Sequence, residues 1–193
     1  MVKLGNISEI QTGLVLARKR AIAKDKNPKK YKLLTLKSFD PSGLLDSDAL
    51  DSFISNSELE EKYVTKKEDI IIRLTNPYTA LTINSSSEGM IIPSNFAVIK
   101  LNDNSFLSEY VELLLNSEAM KKLFYKSAVS TTIPLIKTSL LRDIELKNKP
   151  IEIQKKLVDL NRLQKKENIL LNKLTEEKSK LAYSYINKII TEE

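Results

Sequence analysis

Apolar residues recur along this chain in two regimes. From Ile151 to about Ile190 they fall three or four positions apart with no Gly or Pro between them, which is the period of one long α-helix. Before Ile151 they come in short runs separated by turn residues, the pattern of a mixed α+β domain. Residues 2–10 read as a short strand or helical turn closed by Gln11-Thr12-Gly13, with Gly13 a candidate for positive φ. Residues 31–36 read as a strand, and Asp40-Pro41-Ser42-Gly43 as a turn. The acidic, polar stretch 46–61 reads as loop with a short helix. Residues 70–74 and 79–83 read as strands, the first of them buried. A loop over 84–89 leads to strand-like runs at 90–93 and 96–101. Ser108 is the expected cap of a helix through Leu115, with Glu109 and Glu112 in its first turns. A second helix over 118–125 gathers Met120, Leu123 and Phe124 on one face. After the small polar stretch 127–132, an extended piece (133–136), a short helix (138–142) and a last strand (144–146) complete the domain.

The long helix has a clean start. Pro150 suits a first turn, where its missing N–H costs little, and Glu152 meets the positive end of the helix dipole. Forty residues at helical rise extend roughly 60 Å. With Leu157 at heptad position a, the a and d positions include Ile153, Leu157, Leu160, Gln164, Glu167, Leu171, Leu174, Lys178, Leu181, Tyr185 and Lys188. Most are apolar, and Leu163 and Leu170 widen the stripe, so the helix is expected to form a coiled coil. An antiparallel pair that sets Leu171 against Leu174 of a second copy also sets Leu160 against Tyr185, Gln164 against Leu181 and Glu167 against Lys178. A parallel pair in register would face Glu167 with Glu167 and Lys178 with Lys178, which is repulsive. The seam therefore points to an antiparallel homodimer.

Charge sharpens the picture of the head. The chain carries a net charge of +6 and a pI near 9.3. Between Ala17 and Lys32 lie Arg18, Lys19, Arg20, Lys24, Lys26, Lys29, Lys30 and Lys32 against the single acid Asp25. A basic segment of this kind suits a polyanion, because each phosphate it neutralises releases counterions. Cys and His are both absent, which removes thiolate metal sites, disulfides and the commonest general acid–base group. No cofactor is expected. No apolar run is long enough to span a membrane, and the first residues lack the pattern of a signal peptide, so a cytoplasmic location is expected.

The order of several stretches resembles half of a specificity subunit of a type I restriction–modification system: one target-recognition domain and one spacer helix. The stretches are residues 3–10 with Thr12-Gly13, Glu68-Asp69-Ile70-Ile71-Ile72-Arg73, Asn95-Phe96-Ala97-Val98-Ile99, residues 127–136, and Leu140, Ile144, Pro150 and Gln154 at the entry to the helix. Glu68 stands where the family usually has Gly, and the Gly usual before Ile133-Pro134 is missing. The resemblance implies a recognition domain over residues 1–148 and a spacer helix over 149–193. It implies a non-catalytic protein that selects a sequence in double-stranded DNA. Its partners would be a methylation subunit and, in a complete restriction assembly, a restriction subunit. Full members carry two recognition domains and two antiparallel helices. Two copies of this chain would rebuild that arrangement and read an inverted repeat. Two other readings remain open: a coiled-coil module whose head binds protein, and a silent recombination fragment of a specificity locus.

Thr75-Asn76-Pro77-Tyr78 is similar to the Asn-Pro-Pro-Tyr element of adenine methyltransferases but lacks the second Pro, and the chain's four glycines form no Gly-x-Gly loop after a strand. Paired acids such as Asp46/Asp48 and Glu60/Glu61 sit in polar runs and read as surface. The turn makes better sense as a reader. Arg73, Asn76, Tyr78 and Thr79 supply side chains that match base edges: Arg with guanine, Asn with adenine, Thr with the thymine methyl. Arg18, Lys19 and Arg20 are candidate phosphate contacts. Ser130, Thr131, Thr132 and Lys137 form a second candidate contact loop.

Overall fold

The computed structural model describes residues 1–22, 24, 28–39, 44–128 and 134–191. It divides into two compact units, Met1–Lys155 and Lys156–Glu193.

Two strands of uninterrupted apolar sequence organise the first unit. β5 (Ile70–Arg73) and β8 (Phe96–Leu101) pair antiparallel, with Ile70 opposite Ile99 and Ile72 opposite Ala97. Ile70, Ile71, Ile72, Ala97, Val98 and Ile99 are all fully buried, so both faces of this pair are covered. β2 (Ser8–Thr12) flanks β8 and β6 (Ala80–Thr82) flanks β5, giving a four-stranded antiparallel sheet in the order β2-β8-β5-β6. A second sheet has the order β4-β3-β7, from β3 (Lys29–Leu33), β4 (Asp51–Ser55) and β7 (Met90–Ile91). Leu34, Phe39, Met90 and Ile92 meet Ile71, Leu81, Phe96 and Val98 of the larger sheet in one cluster. Each such side chain, fully buried, contributes about 1.5–3 kcal/mol.

α2 (Ser108–Leu115) packs on β5 and β6 and closes the open edge of the larger sheet. Glu112 accepts from the Thr82 amide at 2.9 Å, and the Asn116 amide takes both the N–H and the carbonyl of Ala80 at 3.0 and 2.8 Å. A bare edge would otherwise be open to pairing with another chain. α3 (Glu118–Ala128) follows, then α4 (Thr138–Asp143). β1 (Val2–Lys3) pairs with β9 (Glu145–Leu146), and α1 (Leu4–Ile7) packs on α4. α5 runs from Ile151 to Thr191.

Several expectations change. The stretch expected to be loop with a short helix contains β4, paired antiparallel to β3 from Leu33↔Asp51 to Lys29↔Ser55. Gly13 has no positive φ. Its requirement is close approach, since a Cβ there would lie 2.2 Å from the carbonyl oxygens of Ile92 and Pro93. Ser108 is the first helical residue of α2 and does not cap it; the flanking residue is Leu107, with no side-chain cap. α3 extends to Ala128. The turn anticipated at Asp40-Pro41-Ser42-Gly43 lies outside the described residues.

The first compact unit reaches into α5, to Lys155. The first turn of the helix is held by a fully buried Gln154. Its Nε2 donates to the carbonyls of Ser105 and Lys149 at 2.7 and 2.8 Å, and its Oε1 accepts from the Leu107 amide at 2.9 Å.

Candidate nucleic-acid interface

The turn that leaves β5 is built to hold a shape. The Tyr78 amide donates to the Thr75 carbonyl at 2.9 Å, and the Arg73 amide to the Thr79 carbonyl at 2.9 Å. The Asn76–Pro77 peptide bond is cis, and Tyr78 adopts φ +54°. Arg73 braces the turn from one side: Nη2 donates to the Asn76 carbonyl at 2.8 Å and Nη1 to the Leu36 carbonyl at 3.1 Å. Burial lowers the pKa of this guanidinium. α3 braces the other side. Lys121 Nζ donates to the Pro77 carbonyl at 2.6 Å and, at 3.4 Å, to Thr79 Oγ1. Tyr125 Oη donates to Asn76 Oδ1 at 2.5 Å. Burial, and then the nearby Arg73 charge, push the Lys121 pKa down to about 8.

Within this turn the structure separates residues that the sequence grouped. Asn76 is exposed. Tyr78 and Thr79 are buried, each with 1% of its surface accessible. The Tyr78 ring packs 5.9 Å from Phe124 and 5.2 Å from Tyr125, and burial raises its pKa. Neither side chain offers surface to a base edge, so the reading role assigned to them from sequence is replaced by one of packing.

Lys137 lies beside the same turn. Leu135 bridges Thr75, and the Ile136 amide donates to the Leu74 carbonyl at 2.9 Å, which puts the exposed Lys137 one residue further on. Ser130, Thr131 and Thr132 lie outside the described residues. Asn95 is also near, its carbonyl accepting from the Leu74 amide at 3.0 Å while its buried Oδ1 has no partner among the described residues.

The basic segment takes a different place. Arg18 ends a 3-10 turn, Leu16–Arg18, and the chain then runs along the free edge of β4. The Asn56 amide donates to the Lys19 carbonyl, the Ala21 amide to the Ile54 carbonyl (each 2.9 Å), and Arg20 bridges Ser55. The Arg20 guanidinium sits 5.8 Å from the Phe53 ring centre. On the outer face of the same sheet, alternation along β3 exposes Lys30 and Lys32 opposite Ile54 and Ser52. The second sheet thus carries cations on its edge and its outer face.

Lys121 and Tyr125 were missed by sequence reasoning, which read α3 only for its apolar face. Their signal, a Lys and a Tyr four residues apart, is one helical turn and becomes informative only once the neighbouring turn is known. Among the described residues no three His, Cys, Asp or Glu side chains gather as a metal site, and no helix is long and apolar enough to cross a membrane.

In the second unit, the seam residues Leu160, Leu171, Leu174, Leu181 and Tyr185 each keep half or more of their surface exposed, and Leu157 is 37% exposed. Gln164, Glu167 and Lys178 are exposed on the same helix.

No protein-family model matches this sequence, and no curated protein sequence matches it. Solved structures do. The HsdS subunit from Thermoanaerobacter tengcongensis superposes with a TM-score of 0.64 at 16% identity, over 91% of this chain and 44% of that one. A chain from a study of complex assembly and conformational transition in the type I R-M system gives 0.61 at 14% identity, over 91% and 40%. The type I restriction–modification S subunit from M. genitalium gives 0.52 at 16% identity, over 86% and 38%. The fold is that of a type I specificity subunit. This chain spans about two fifths of the length of the solved chains, from 38% to 44%. The half-subunit resemblance read from scattered short stretches is thus matched by the fold, mixed sheets followed by a long C-terminal helix.

Proposed function

We propose that this chain is a DNA-sequence recognition subunit of a type I restriction–modification assembly, without catalytic activity of its own. The observation that carries the reading is the fold shared with solved specificity subunits over nine tenths of the chain. The site supports it. A turn braced from both sides holds one exposed amide, Asn76, outward, and Lys137 stands beside it. Arg18, Lys19 and Arg20 supply phosphate contacts that fix position without reading sequence. Arg73, engaged with two backbone carbonyls, supports the turn in the free protein.

The exposed seam of α5 pairs with a second copy in the antiparallel register that matches Glu167 with Lys178. Two identical heads related by a two-fold then read an inverted repeat. A methylation subunit is the partner that would act on the selected site, and a restriction subunit joins where the assembly also cleaves.

Selection from a pool of random duplexes tests this reading. The purified chain is expected to enrich an inverted repeat, with log affinity falling against log salt by about 0.9 for each phosphate neutralised. A slope near zero, or a pool that stays random, would overturn it. Co-expression with a methylation subunit and mapping of methylated adenines then reports the same repeat.

A further inference from the structure

We propose that Tyr125, on α3, sets the hydrogen-bonding face that Asn76 shows to DNA, and so makes this turn a reader of guanine. The inference rests on the recognition reading above and adds the base and the residue that chooses it.

An asparagine amide has a carbonyl end that accepts and an NH₂ end that donates two hydrogens. If the amide is free to turn over, it can show a base edge either end or both. Adenine offers its major-groove edge as one acceptor and one donor, N7 and N6, and a free amide answers both. Guanine offers two neighbouring acceptors, N7 and O6.

Asn76 is not free. Its Oδ1 accepts the Tyr125 hydroxyl at 2.5 Å. Its backbone carbonyl is taken by Arg73 at 2.8 Å, and the next carbonyl, of Pro77, by Lys121 at 2.6 Å. The Tyr125 ring is itself placed by an edge contact with the buried Tyr78 ring, 5.2 Å between centres. Two anchors therefore fix the turn, and the Tyr125 hydroxyl, a stronger donor than acceptor, holds the carbonyl end of the amide inward. Among the described residues nothing accepts from Asn76 Nδ2. The exposed group is a double donor, with the Tyr125 phenol crowding the carbonyl end. Two donors match the two acceptors of guanine, whereas the adenine N6 hydrogens would have to share the carbonyl oxygen that Tyr125 already engages. Discrimination of this kind is worth about tenfold or more between bases.

The test compares the wild-type chain, Asn76→Ala and Tyr125→Phe in selection from randomised duplexes, with thermal melting of each. Asn76→Ala is expected to flatten preference at one position of each half-site, and the wild type to prefer guanine there. Tyr125→Phe keeps the ring contact and loses the hydroxyl. Its guanine-to-adenine ratio at that one position should fall about tenfold. If Asn76→Ala flattens a position where the wild type prefers adenine, the proposal is overturned even should Tyr125→Phe fail to fold. It is equally overturned if a folded Tyr125→Phe leaves the ratio unchanged, or if Asn76→Ala flattens nothing while preferences persist elsewhere. In those cases the recognition reading stands. A wild-type pool with no preference at any position removes the recognition reading itself, and this inference with it.

Discussion

Lys121 ties α3 to the turn that leaves β5, and its ionisation should be visible in stability. Its pKa stands near 8 in the folded protein against 10.5 ordinarily, mainly through burial and secondarily through Arg73. Below about pH 8 both folded and unfolded chains hold the proton, and the burial penalty acts in full. Between about 8 and 10.5 the folded chain releases the proton while the unfolded chain keeps it, so stability rises with pH across that window. The neutral amine still donates to the Pro77 carbonyl. Urea midpoints at pH 7 and pH 9.5 should therefore shift in favour of the wild type relative to Lys121→Met; a difference that does not change with pH would refute the assignment. Nothing in the sequence marks this lysine among its neighbours Lys122 and Lys126. The same holds for Tyr78 and Thr79, whose burial follows from a backbone reversal that a residue string does not display. Glu68 is the opposite case. The resemblance implies Gly at its position, and its backbone sits at φ +69°, the left-handed region that glycine enters without steric penalty. The sequence pattern located the position, and the dihedral supplies the reason.

Elements were legible where one period ran uninterrupted. β5 and β8 could be read because buried strands are continuously apolar, and α5 because its period holds for 41 residues. β4 was not legible. In Asp51-Ser52-Phe53-Ile54-Ser55 only Phe53 and Ser55 face inward, and the buried Ser55 breaks the apolar alternation that would have flagged a strand. The start of α5 shows how much one side chain can decide at an element boundary. Gln154 has no accessible surface and makes three hydrogen bonds, two to the loop before α2 and one to the Lys149 carbonyl just ahead of α5. Gln154→Leu keeps the volume but strands the Leu107 amide and two carbonyls. The expected loss is about 2–3 kcal/mol, at the upper end for unsatisfied buried groups. It should appear as a lower urea midpoint with little change in slope, whereas Gln164→Leu, exposed on the same helix, should not lower it. Equal midpoints for Gln154→Leu and the wild type would show that the junction contributes nothing.

For the whole molecule the question is which way two copies of α5 would run, and charge decides it. An antiparallel pair in the proposed register contains Glu167 opposite Lys178 twice, by symmetry. A parallel pair contains each residue opposite itself. The two arrangements respond differently to one substitution. Glu167→Lys turns both attractive pairs of the antiparallel dimer into repulsive ones, at roughly 0.5–1 kcal/mol per pair, so its dissociation constant should rise about 5- to 30-fold at low salt. In the parallel dimer the same change only exchanges one self-repulsion for another and should leave the constant nearly where it was. Adding Lys178→Glu restores both pairs in the antiparallel case with their signs reversed, and dimerisation should return to the wild-type level. Sedimentation equilibrium on the three proteins reads this directly. The same experiment at high salt should compress all three constants together, because salt screens the charge pairs. A constant indifferent to both substitutions at low salt would refute this register. It would leave the leucine seam, with Leu160, Leu171, Leu174 and Leu181 each at least half exposed, to be covered in some other alignment.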